Sequence, residues 1–345
     1  MKVRTTIILK LIVLQFILLV QLSSCQLMEK QEYKWIPTIG APEEYPIRII
    51  KGEFISSNGD HTVLPGSEFV NQGWGTSGSV MVSGSDKKTI PDSLALTWLS
   101  YADNKFYSGR FSLDKQKISD LFKLGYLDHD MNEQKTYNYL TIGMTPGGGV
   151  VLWVTGGVKQ VEVGVFKAQE VKLTKQDLRS NEAYLFEPGF AKESYERNVA
   201  PEIREQVAKN GINNDLLKKW LKRYNWNFTV NSKAVKFYQL RPFYLNAEQE
   251  EIFGPELLNN KIEQRAVPKE IYVEWIDQKG RKMITDIVFD EAEIQSAFAL
   301  IPQDGKAELL FEVDPNEYTV AVTLKTEGKE IKITKQKSKT QHDTY

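Results

Sequence analysis

Thiols and imidazoles, the most versatile groups for nucleophilic, metal and proton chemistry, are scarce in this 345-residue sequence. It has one cysteine, Cys25, and three histidines, His61, His129 and His342, which are far apart and outside any H-E-x-x-H spacing. Beyond Cys25 no sulfur remains for a disulfide, a thiolate nucleophile or a zinc–thiolate site. Asp128-His129-Asp130-Met131-Asn132 opens like a calcium loop, with oxygen donors at positions 1, 3 and 5. Counting onward breaks the pattern: Glu133 stands where the sharp turn needs Gly, and Tyr139 where a bidentate Glu is required. Gly147-Gly148-Gly149 exposes backbone N–H groups, but a phosphate loop must lead into a helix with Lys and Ser/Thr at set spacing. Here Val150 to Val154 reads as a strand, so the glycines predict a turn. Gly75-Thr76-Ser77-Gly78-Ser79 lacks the spacing of a nucleophile elbow. Asp92, Asp103, Asp114 and Glu162 are candidate acids for paired carboxylate chemistry, which needs a separation that only a fold can set. No catalytic residue, metal ligand set or cofactor is assigned, and the reading is non-enzymatic.

The thiol of Cys25 has a different context. Lys2, Arg4 and Lys10 precede a mostly aliphatic run from Leu11 to Leu22, too short to span a bilayer and typical of an export signal. Leu22-Ser23-Ser24-Cys25 then resembles a bacterial lipobox, whose cysteine is acylated and becomes the first mature residue. Residues 1–24 are read as the signal peptide, 25–44 as a polar, proline-punctuated tether, and Cys25 as the membrane attachment through palmitate-like chains. Gln26, rather than Asp, favours the outer membrane over the inner one within a bacterial cell envelope.

Removing residues 1–24 takes three of the 44 basic residues and none of the 45 acidic ones, so the mature chain is mildly acidic. That balance carries no nucleic-acid footprint. With 41% hydrophobic and 11% aromatic residues the chain can bury a substantial core.

Alternating apolar residues predict strands at 45–55, 94–101 and 105–113. Asp114 starts a helix with the stripe Ile118, Leu121 and Phe122, and Gly125 closes it. Strands at 137–144, 150–155 and 161–171 follow, joined by glycine turns. The order returns at 270–276, 282–289, a helix from Asp290, then 307–313, 318–325 and 330–335. Offsets stay near 176: Trp98 to Trp275, Asp114 to Asp290, Ile118 to Ile294, Phe122 to Phe298. The expected fold is α+β, mainly antiparallel sheets in two related ββαβββ-like units with a helical insert between them. The N-terminal domain is placed at 45–245 with helices at about 192–224, and the C-terminal domain at 246–340 as a possible repeat of 94–171. Asn214 is read as the cap of a helix with the stripe Leu217, Trp220, Leu221 and Tyr224. Lys332 to Lys339 is read as a solvated tail.

The aromatic residues Trp74, Trp98, Tyr101 and Trp153 are candidates for lining a carbohydrate- or peptide-binding groove, with the Trp74 loop as its centre. The competing readings are a protein-binding lipoprotein, of which toxin neutralisation by an immunity-type protein is one form, and an envelope hydrolase whose site only the fold assembles.

Three stretches carry a resemblance: Pro91 to Phe111, Pro146 to Trp153 and Val161 to Phe166. They are similar to a family of bacterial candidate lipoproteins catalogued as domain of unknown function 2931, over roughly residues 35–245. The resemblance implies a lipoprotein context and an α+β body. It brings no catalytic residues.

Overall fold

The structure is a computed structural model that describes residues 31–66, 69–78, 80, 85–231, 233 and 235–343. Cys25 and the expected signal peptide lie outside the described residues.

Two sheets form around the N-terminal core. The first runs in the order β8 (Gln160–Lys167), β7 (Gly149–Thr155), β6 (Tyr139–Thr145), β1 (Ile36–Gly40), with β1 parallel to β6 and the other pairs antiparallel. The second runs β9 (Gln169–Val171), β5 (Lys105–Ser112), β4 (Ser93–Ser100), β2 (Ile47–Ile55), β3 (His61–Val63), all antiparallel. Period-2 alternation sends Leu94, Leu96 and Trp98 of β4 and Leu140, Ile142 and Met144 of β6 into one shared core. Helix α1 (Lys115–Leu124) adds Ile118 and Phe122 to that core. It begins where the Asp114 side chain accepts the Lys117 N–H and ends at Gly125, whose φ of +62° a side chain tolerates poorly.

A second pair of sheets follows. Its strand orders are β18 (Lys329–Ile333), β17 (Thr319–Thr326), β16 (Lys306–Asp314), β10 (Arg223–Asn231), β13 (Glu263–Ala266), and β19 (Gln336–His342), β15 (Lys282–Phe289), β14 (Pro268–Ile276), β11 (Lys236–Tyr244), β12 (Ile252–Phe253). One pair in it is parallel, β10 with β16, as β1 is with β6. The last helix, Glu291–Phe298, is capped by Asp290 as α1 is by Asp114. Three helices lie between the two pairs: α2 (Phe190–Asn198), α3 (Pro201–Asn210) and α4 (Leu216–Trp220).

The architecture is α+β, with mainly antiparallel sheets and few helices. Several boundaries move. Ile36–Gly40 is a largely buried edge strand and Trp35 is buried, so these residues belong to the body and not to the tether, because β6 offers them a parallel ladder. The C-terminal body starts near Arg223, because β10 pairs with β16 and β11 with β14. Helix α4 stops at Trp220 and Tyr224 lies in β10, so the stripe from Asn214 to Tyr224 is not one helix face. The segment 161–171 is two strands: the chain leaves one sheet at Ala168 and joins the other. The lysine-rich end pairs with β15, because its alternate residues find a sheet edge.

The first sheet is buried on both faces. Every residue of β7 is buried, although only Val150, Leu152 and Val154 point into the N-terminal core. On the other face lie Trp153, Thr141 and Gly143, covered by Trp74 and by Trp220 of α4. The Trp74 ring lies 4.9 Å from Trp153 and 5.3 Å from Trp220. A Cβ on Gly143 would sit 2.6 Å from both the Trp153 and Trp74 rings, so glycine is required there. Gly143→Ala is therefore expected to cost about 1–3 kcal/mol, by forcing that packing apart. Gly66→Ala, whose Cβ would meet nothing within 4 Å, is the reference. Denaturant midpoints that move equally for both would refute the assignment.

Candidate functional site

The four aromatic residues expected to line a groove do not form one. Trp98 and Trp153 are 0% exposed and Tyr101 3% exposed. Trp98 fills the N-terminal core, Trp153 donates its Nε1–H to the Asn246 carbonyl at 3.0 Å, and Trp74 packs between the two bodies. Strand periodicity marks which residues alternate but not that a second layer covers the outward set.

The candidate acids are dispersed in structural roles. Asp92 pairs with Lys115 at 3.1 Å, Asp103 accepts the Tyr107 hydroxyl at 2.7 Å, and Asp114 caps α1. Glu162 is the exception in kind. Burial pushes its carboxyl up, Arg223 at 3.7 Å opposes that, and the Glu248 carboxylate adds to it. Arg223 also contacts Glu248 at 2.8 Å, and Gln160 and Gln249 exchange backbone hydrogen bonds beside them. This cluster stitches β8 to the C-terminal body. The loop at Asp128 is closed by Lys135 at 2.7 Å and by the Met131 N–H, while His129 stacks on Phe253. Among the described residues no group of three or more His, Cys, Asp or Glu is placed to hold a metal ion.

The open surface lies on the outward face of the sheet β9-β5-β4-β2-β3, where cross-strand register builds three rows. The first contains Arg48, Leu99, Phe106 and Val171. Residues 175–195 cover part of it, packing Leu178, Tyr184, Leu185 and Phe190 around Ile50, Leu99 and Tyr101. Arg48 pins this cover: its guanidinium lies 3.3 Å from Glu182 and over the Tyr184 ring, with both charged side chains nearly buried. The second row is Lys51, Thr97, Ser108, Gln169, and the third Val63, Glu53, Ala95, Arg110. Among the described residues nothing covers these two rows, and they floor a hollow of about 890 Å³.

Its floor is made of small groups, Ala95, Thr97, Ser108 and Gly109, with the Thr97 and Ser108 hydroxyls bonded to each other at 2.9 Å. Its rim carries Lys51, Arg110 and Arg179, all exposed. Glu53 lies within hydrogen-bond distance of His61 at 3.0 Å and Glu182 pairs with Arg48, and Lys51 holds the nearby Asp177 carboxyl down after that group's hydrogen bonds to Thr174. Among the described residues no carboxylate lies within ion-pair distance of Lys51, Arg110 or Arg179. The hollow therefore presents more positive than negative charge. Its residues were missed from sequence because Lys51, Ala95, Thr97, Ser108 and Arg110 become neighbours only through strand register.

A family model described as "Protein of unknown function (DUF2931)" matches residues 23–215, more than half of the chain. The protein belongs to that family. The match ends just before β10, so it takes in the N-terminal sheets, the covering segment and the whole hollow. No curated protein and no solved structure matches the chain.

Arg223→Met removes the cation between Glu162 and Glu248. The Glu162 carboxyl is already held above its ordinary value, so folding disfavours its charged form. The resulting penalty is absent below about pH 4 and grows as pH rises through the folded value. The variant is expected to lose about 1–2 kcal/mol at pH 8, a figure reduced for partial exposure, and less at pH 5. Thermal unfolding at the two pH values checks this, and a loss that grows on acidification would contradict it. Trp74→Ala should cost about 3 kcal/mol of stability, as a packing residue does. A loss under about 1 kcal/mol by urea titration would reopen a ligand role.

Proposed function

We propose that this protein is a lipid-anchored bacterial envelope protein, held through Cys25, that binds an acidic surface of another protein in the hollow over Thr97 and Ser108. The carrying observation is the hollow itself: a small-residue floor rimmed by three cations that have no carboxylate within ion-pair distance among the described residues. Charged rims speed and orient docking, and a floor of small side chains admits a protruding loop or strand. Placement of the hollow inside the family-matched stretch supports a role common to the family's domain. Among the described residues no helix is long and apolar enough to cross a membrane, so attachment in this reading depends on the acylated cysteine. Gln26 after that cysteine favours the outer membrane, and toxin neutralisation is one form such binding takes.

We also infer that the second pair of sheets arose by duplication of the first. The matching strand orders, the single parallel pair in each and the equivalent Asp-capped helices support it.

The test is co-purification of the full lipidated chain from detergent-solubilised membranes, comparing wild type with the triple variant K51E/R110E/R179E. A partner recovered with wild type and reduced at least about tenfold with the variant, at unchanged thermal stability, is the expected result. Equal recovery with both, or no partner under conditions that preserve other membrane complexes, would remove the proposal.

A further inference from the structure

Large apolar side chains stand out from the surface at a few described positions, and the two most exposed lie at the end of α1 and in the hairpin that follows it. Leu124 is 73% exposed and Met131 61%, with Leu127 at 43% between them. Leu124 ends α1, and the other two lie in the hairpin of Tyr126–Asp128 with Glu133–Lys135. The hairpin is tied to the helix end: Gln134 donates its Nε2–H to the Leu124 carbonyl at 2.7 Å, and Thr136 donates its hydroxyl to the Phe122 carbonyl at 2.8 Å. These side chains are therefore presented on an ordered base.

The described chain begins at the same end. Ser119 of α1 donates its hydroxyl to the Gln31 side-chain carbonyl at 3.3 Å, and the Tyr33 ring lies 5.2 Å from Phe122. Cys25 precedes Gln31 by six residues, which reach ~20 Å when fully extended. Ser119 and Leu124 are five helical residues apart, ~7.5 Å along the axis. A lipid on Cys25 thus cannot be carried far from this end of the molecule, and the exposed leucines sit within the tether's reach.

We propose that Leu124, Leu127 and Met131 form a membrane-docking surface that rests in the bilayer interface beside the acylated Cys25. This rests on the lipid-anchor reading given above. Short tethering keeps the effective lipid concentration high, so a small apolar insertion suffices. The charges around the patch select the surface. Lys135 is neutralised by Asp128 and Lys123 faces Asp120 at 4.0 Å, while Asp130 and Glu133 flank Met131. Docking is consequently apolar, and strongest on bilayers poor in anionic headgroups.

Acylation blocks Cys25, so Met131→Cys in the full lipidated protein introduces the single free thiol. A polarity-sensitive fluorophore on it is compared with one on Leu300→Cys, 48% exposed on the second body, in phosphatidylcholine–phosphatidylethanolamine vesicles containing nitroxide-labelled lipid. The expected result is at least ~twofold quenching and a blue shift at position 131 and neither at 300, with the 131 signal weakened by L124S/L127S. Protein that floats with vesicles but is quenched equally little at both positions overturns the docking surface and leaves the anchor standing. A blue shift at 131 that appears without vesicles and rises with protein concentration assigns the patch to a second copy of the chain and also overturns the proposal. Protein that fails to float, with an unmodified Cys25 by mass spectrometry, ends the anchor reading and this one together.

Discussion

Burial of one sheet on both faces is the constraint from which the rest of the molecule follows. Strand β7 has no solvent face, so Trp153, Thr141 and Gly143 need a second apolar layer as much as Val150 and Leu152 need the first. Trp74 and α4 supply part of that layer and the Asn246 carbonyl satisfies the Trp153 indole. The C-terminal body is therefore packed against its neighbour by tryptophan and not merely strung after it. The same need explains why Ile36–Gly40 enters the fold so early in the chain: it completes the sheet beside β6.

Charge is distributed by a related rule. Where ionisable groups are withdrawn from water they are matched, as Arg48 is by Glu182 and Arg223 by Glu162 and Glu248. These pairs hold covers and junctions in place, and the acids that sequence spacing offered for chemistry are occupied in caps and bridges of this kind. Lys51, Arg110 and Arg179, with no carboxylate within ion-pair distance among the described residues, collect instead around the open rows of one sheet. The segment pinned by Arg48 decides which half of that face is open, so a structural ion pair delimits the surface that the proposed function uses.

Local signals and the elements they predicted agree well where one residue decides the backbone. Asp114 and Gly125 bracket α1 within a residue, Asp290 caps the last helix, and the glycines at 147–149 turn the chain between β6 and β7. Agreement fails where pairing across sequence decides. Gln336 to His342 is too polar to announce a strand, yet it forms a ladder with β15, and Tyr224 continues an apolar helical spacing but is drawn into β10, where it pairs with Arg265 of β13. Side-chain alternation located the tryptophans without saying which faces another layer would seal.

By itself the amino-acid order determined the α+β class, the recurrence of an Asp-capped helix between strands and the family resemblance. These depend on residue types within a few positions of one another. Strand order, the doubly buried sheet and the cationic hollow were decided only in three dimensions. Lys51, Thr97, Ser108 and Gln169 share a row because four strands pair in one register, and that register is set by cores on either side rather than by anything adjacent in the chain.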